Sequence, residues 1–131
     1  MATGRCQCGA IQYEARGDPV YSALCHCADC RRSAGAPMVG WALFAQGDLT
    51  VNGEPLLYRS SENATRHFCG ACGTGLFYTN PVSFPDMIDI QTATLDDPAI
   101  FPPAIHVQYA EAAPWMEKAH DLPKFDRYPA E

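Results

Sequence analysis

The sequence contains no apolar run approaching the length needed to cross a bilayer, and its opening, Met1-Ala2-Thr3-Gly4-Arg5-Cys6, has no apolar stretch of the secretory type. Neither a membrane protein nor a secreted one is expected, and the expected location is the cytoplasm. Basic residues are scarce: nine Lys plus Arg stand against fifteen Asp plus Glu, the net charge is −6, and no basic run exceeds Arg31-Arg32. Nucleic acid, which is held by clustered Lys and Arg, would meet net repulsion, so that partner class is excluded. The chain also shows no internal repeat, no low-complexity tract and no linker. Its 131 residues, 47% of them hydrophobic, are expected to form one domain spanning 1–131 with its own core.

Helical periodicity is scarce too, confined to one or two turns after Cys27 and a short piece near Trp115 to Ala119. Alternation is the commoner pattern. Ile11, Tyr13 and Ala15 interleave with Gln12, Glu14 and Arg16, and Met87-Ile88-Asp89-Ile90-Gln91-Thr92-Ala93 repeats the theme. Both segments read as half-buried strands. Further short apolar runs lie at Val39 to Phe44, Leu56 to Tyr58, Leu76 to Thr79 and Ile105 to Tyr109, with punctuation such as Asn52-Gly53 between them. The expected fold is mainly β, built of stacked antiparallel sheets. Pro81, Pro85, Pro98, Pro102 and Pro103 imply long loops after the last cysteine.

Against these absences stands an abundance of cysteine. The seven fall into Cys6-Gln7-Cys8, Cys25-His26-Cys27-Ala28-Asp29-Cys30 and Cys69-Gly70-Ala71-Cys72. In a reducing compartment closely spaced thiols are more often metal ligands or catalysts than disulfides, and the odd count agrees. A structural zinc takes four ligands in a closed tetrahedron, and a catalytic one takes three and keeps an open position. Seven is four plus three. The count alone also allows a ribbon of Cys27, Cys30, Cys69 and Cys72 that strands the other three. Gly9, Gly70 and Gly73 sit where a chain turning back over a metal needs positive φ or a close backbone approach.

With the clusters assembled, the chain resembles the glutathione-dependent formaldehyde-activating enzyme family, which includes the centromere protein V domain. The resemblance rests on Gly4-Arg5-Cys6-Gln7-Cys8-Gly9, on Cys25 to Gly35, and on Phe68-Cys69-Gly70-Ala71-Cys72-Gly73-Thr74. Weaker marks follow at Thr94-Leu95-Asp96-Asp97-Pro98, His106, Pro114-Trp115 and Asp121 to Phe125. The resemblance implies a β-tent of folded antiparallel sheets and two zinc ions per chain. Cys6, Cys8, Cys69 and Cys72 would hold a structural ion, and Cys25, Cys27 and Cys30 an open one. Gln108 departs from the pattern, since many members carry an aromatic residue two places after His106. The long basic extension of centromere-type members is missing.

Three thiolates on Zn²⁺ leave a formal charge of −1, which disfavours water activation. Such a soft site can instead take a substrate thiol as fourth ligand and hold it as a thiolate able to attack an aldehyde carbonyl. For glutathione and formaldehyde the product is S-hydroxymethylglutathione. The leading function is therefore a zinc-dependent carbon–sulfur lyase-like enzyme acting on such an adduct or a related small thiol, with Cys25, Cys27 and Cys30 at its catalytic centre. Its rival is a zinc-stabilised thiol-binding or carrier module without catalysis; a third reading makes Cys27 and Cys30 a redox dithiol. Arg31 and Arg32 follow the triple, and their forked guanidinium groups suit the carboxylates of a peptide-like thiol. His106, at a family position, completes the candidate substrate residues. His26, between two ligands, and His67, two residues before Cys69, are weaker candidates.

Overall fold

The protein is described here from a computed structural model, over residues 1–129; Ala130 and Glu131, the end of the expected domain, lie outside the described residues. The chain runs through β1 (Ala2–Arg5), β2 (Gln12–Ala15), β3 (Ser22–Cys25), α1 (Ala28–Ala34), β4 (Val39–Ala45) and β5 (Leu49–Asn52). It continues through β6 (Leu56–Arg59), β7 (Thr65–Phe68), β8 (Gly75–Thr79), β9 (Met87–Gln91) and β10 (Ile105–Val107). The fold is mainly β, as expected. A small sheet has the order β1-β2-β5 and a large one the order β10-β3-β4-β9-β8-β7-β6. One pairing departs from the antiparallel expectation: β10 lies parallel to β3, with Val107 opposite Cys25. The proline-rich passage between β9 and β10 carries the chain to the far edge of the sheet, where it enters from the same end as β3.

Alternation decides what each face of the large sheet carries. Ala42, Phe44, Phe77, Ile88 and Ile90 point toward the small sheet and meet Ile11, Tyr13 and Ala15 in the main core. Tyr13 packs edge-on against Phe77 at 5.3 Å, and its hydroxyl is satisfied by the Thr94 hydroxyl at 2.8 Å. Burying each such aromatic ring contributes on the order of 2–3 kcal/mol. The opposite face carries a second apolar cluster of Cys25, Cys30, Val39 and Trp41, with Tyr21, Tyr78 and Val107 against it. Central β4 is therefore buried on both sides, which is why Val39 to Phe44 reads as a continuous apolar run. In β9 the same logic sends Ile88 and Ile90 into the core and Asp89 to the other face, where it too is buried.

Both helical expectations correspond to real elements: α1 begins at Ala28, and a 3₁₀ turn covers Met116–Asp121. No helix among the described residues is long and apolar enough to cross a membrane.

Candidate metal centres

Two cysteine clusters form. The sulfurs of Cys6, Cys8, Cys69 and Cys72 all lie within 4.8 Å of one another, and so do those of Cys25, Cys27 and Cys30. All seven thiols are free. Cys6 and Cys8 stand in the turn between β1 and β2 of the small sheet. Cys69 and Cys72 stand in the turn between β7 and β8 of the large one. In both turns the glycine after the last cysteine takes φ of +82° and donates its N–H back to the first cysteine's carbonyl, Gly9 to Cys6 and Gly73 to Cys69. Gly70 does not take a positive φ, and a Cβ there would lie 2.8 Å from the Leu56 side chain rather than against another backbone.

The donor set fits a metal. A tetrahedral thiolate site with bonds of about 2.3 Å has edges of roughly 3.8 Å, and the Cys6–Cys8 and Cys8–Cys69 sulfurs are 3.7 and 3.8 Å apart. Backbone N–H groups also point at the sulfurs: Ile11 donates to Cys6, Cys30 to Cys27 and Cys72 to Cys69, at 3.3 to 3.4 Å. Thiolates are acceptors, so these bonds favour the deprotonated ligands a metal needs. The Thr74 hydroxyl, 3.2 Å from Cys72, leads the contacts that hold that thiol down to about 5. In the triple, burial dominates instead and pushes Cys25 up to about 12 and Cys27 upward as well.

The triple is local. Cys25 ends β3, Cys27 caps the N-terminus of α1, and Cys30 faces inward from the helix's first turn. It forms one wall of a cavity of about 550 Å³, whose floor is the second face of the large sheet. Gln108, the residue that departs from the family pattern, lines this cavity from a left-handed backbone conformation with φ of +53°.

Arg31 and Arg32 do not line this cavity, because successive helical residues turn by about 100° and Cys30 already takes the inward direction. Arg31 donates from Nε to the His26 carbonyl at 3.2 Å, and Arg32 lines an adjoining cavity of about 500 Å³. His106 is also outside it, since Val107 pairs with Cys25 and alternation sends His106 to the other face. Instead its Nδ1 lies 2.8 Å from Nε2 of His26, which is fully buried beside Tyr109. Desolvation, then the neighbouring His106, lowers the His26 pKa and keeps the ring neutral. Its Nδ1 has no partner among the described residues; with the proton on Nε2, that atom is an acceptor rather than a stranded donor. His67 contacts Thr79 at 3.1 Å, as a sheet histidine would.

Two site residues were not legible beforehand. Arg66 on β7 is only 8% exposed, lines both cavities, brings its guanidinium within 3.7 Å of the Cys30 sulfur and lies over the Tyr78 ring at 5.2 Å. Its positive charge offsets the negative charge of a thiolate triple. Asp89 on β9 lines the triple's cavity and is 4% exposed. The available signal was the alternation of each strand, which sets Arg66 opposite His67 and Asp89 opposite Ile88 and Ile90.

A family model described as "Glutathione-dependent formaldehyde-activating enzyme" matches residues 1–111. The chain belongs to this family. Members similar to it include a putative glutathione-dependent formaldehyde-activating enzyme of Halomonas elongata, 27% identical over 129 residues, covering 89% of this chain and 80% of the relative. An uncharacterised lyase of Schizosaccharomyces pombe is 34% identical over 79 residues, spanning 59% of this chain and 58% of the relative. A solved Rhodobacter sphaeroides structure shares the fold, with a TM-score of 0.63 and 24% identity over 79% of this chain and 98% of that one. The family match ends at Glu111, whose carboxylate accepts the Ala28 N–H at 3.2 Å and so ties the end of the matched segment to the start of α1.

Proposed function

We propose that this member of the family is a zinc-dependent carbon–sulfur lyase-like enzyme acting on a glutathione–aldehyde adduct of the S-hydroxymethylglutathione type, or on a related small thiol. One observation carries the reading: three clustered thiols, not four, form the wall of a cavity large enough for a peptide-sized thiol. In this reading Cys6, Cys8, Cys69 and Cys72 hold a structural zinc, and Cys25, Cys27 and Cys30 hold a second with one position free. When bound there, zinc supplies a Lewis acid that lowers the pKa of a substrate thiol.

The chain's own residues do the rest. Arg66 balances the charge of the triple, and with Arg32 in the adjoining cavity it offers guanidinium groups to the substrate's carboxylates. Arg31 and His106 act one step back, holding the His26 backbone and ring between two ligands so that Cys25 and Cys27 keep their directions. Trp41 and Tyr78 form the aromatic floor of the cavity in which the reacting carbon would lie. The names of the relatives, an enzyme of this type and a lyase, support the same reaction class. We read the 131 residues as one domain, working in the reducing cytoplasm on a small molecule rather than on nucleic acid or membrane.

The test uses glutathione against its S-methyl derivative, which keeps the carboxylates and loses the ionisable proton. Glutathione should bind more tightly, change the sulfur-to-metal charge-transfer bands of the cobalt-substituted protein, and yield adduct turnover above the spontaneous rate. Equal binding with an unmoved spectrum would rule out sulfur ligation. Binding without acceleration would make the protein a carrier.

A further inference from the structure

We propose that Asp89 is an ammonium anchor at the far end of the triple's cavity, so that the protein selects thiols bearing a primary amine. The proposal rests on the function proposed above for what occupies the near end. Asp89, Tyr78 and Arg66 are register neighbours on β9, β8 and β7, and Leu43 on β4 pairs with Asp89 from the other side. Cys25 pairs with Val39, four residues from Leu43 along β4. The offset between the Asp89 and Cys25 backbones is therefore roughly 13 Å along the strands and roughly 10 Å across them. It suits the other end of an extended, peptide-sized thiol.

The chemistry at that end is cationic in its preference. Both Asp89 oxygens accept from the Tyr21 hydroxyl, at 3.2 and 3.3 Å, and among the described residues no cation pairs with them. Among the described residues the one ion pair is the exposed Arg16–Asp48. A buried carboxylate with no counter-charge is costly unless a ligand supplies one. Aromatic rings complete the pocket: Phe84 packs edge-on to Tyr21 at 6.5 Å, and Trp41 sits 5.9 Å from Tyr78. Rings around a carboxylate recognise an ammonium group by charge and by their π faces together.

The titratable groups facing Asp89 are few. Tyr21 precedes β3, Tyr78 lies on β8, Arg66 beyond it is directed to Cys30, and Cys25, Cys27, Cys30, Asp29 and Glu111 line the far wall. β4 presents Trp41 and Leu43, neither of which titrates. Burial raises the Asp89 carboxyl to about 6, against the hydrogen bond from Tyr21, which lowers it. An ammonium ligand binds the ionised form, so its affinity should rise as pH climbs through about 6.

The test is calorimetry on the full chain with zinc supplied. Glutathione should bind at least about tenfold more tightly than N-acetylglutathione, the loss expected when a charged hydrogen bond is removed. Asp89→Asn should lose most of that preference while binding the N-acetyl compound as the wild type does. Tyr21→Phe, which keeps the carboxylate, should retain it. In the wild type alone, S-methylglutathione, which has no thiol proton, should bind more tightly at pH 7 than at pH 5. Equal affinity of the wild type for the amine and its acetylated form overturns the anchor, as does undiminished discrimination by Asp89→Asn or a flat pH profile with S-methylglutathione. If S-methylglutathione instead binds as tightly as glutathione, sulfur ligation fails while the amine preference still decides the anchor.

Discussion

At the scale of single residues, Asp89 shows how a sheet with two covered faces creates chemistry that periodicity misplaces. Alternation in Met87 to Gln91 assigns Ile88 and Ile90 to the core and Asp89 to the opposite side, and that side is buried as well. The consequence for stability has a definite sign. Burial lifts the folded-state carboxyl from an ordinary 3.8 to about 6, so the folded state binds the proton more tightly than the unfolded chain. The Asp89 contribution to stability is therefore full below about pH 4 and is lost as pH rises toward and through 6, by on the order of 3 kcal/mol. Asp89→Asn removes the ionisation and keeps an acceptor for Tyr21. Urea denaturation should find the variant more stable than the wild type at pH 8, with the difference shrinking as pH is lowered through 6; a pH-independent difference would contradict this origin. Adjacency in sequence misleads in the same way for Arg31 and His106, which stand next to cavity residues yet are turned from the cavity by helix rotation and strand alternation.

Elements were legible in proportion to their apolar content. The runs at Val39, Leu76, Met87 and Ile105 became β4, β8, β9 and β10, and the alternation around Tyr13 became β2. By contrast β1, β5 and β7 carry one or two hydrophobic residues each, too few to establish a period. The parallel pairing of β10 with β3 has no local signature, because it depends on where a long connection lands. The turns that carry cysteines were readable through their glycines, and here a prediction follows. Gly73 sits at φ of +82°, a conformation an alanine adopts only under strain. Gly73→Ala should cost about 1 kcal/mol or more, lowering Tm by a few degrees for a chain of this size. Gly47 has no positive φ and open space around it, so Gly47→Ala serves as the control and should shift Tm far less. Equal effects would mean the Gly73 turn imposes no backbone constraint.

At the scale of the whole molecule the two clusters differ in what they join. Spacing alone left their partition open, because the number of residues between ligands says nothing about which turns the fold brings together. In the folded chain Cys8 and Cys69, 61 residues apart, bring their sulfurs to 3.8 Å and connect the small sheet to the large one. The triple spans six residues at one end of β3 and the start of α1, and closes nothing that the β3–β4 pairing does not already hold. A structural zinc supplies on the order of 10 kcal/mol of folding free energy, comparable with the roughly 5–15 kcal/mol by which a domain is stable. Losing the four-cysteine site should then unfold the protein, and losing the three-cysteine site should leave it folded. Purified protein should contain between one and two zinc ions per chain. Graded chelation should remove the less tightly held ion first, with circular dichroism unchanged, and the second only together with the β-sheet signal. Cys27→Ser should retain about one zinc and a cooperative melt, whereas Cys69→Ser should aggregate or fail to melt cooperatively. Should both variants melt alike, or both ions leave in one step with the fold intact, the four-cysteine cluster would not be the clamp between the sheets.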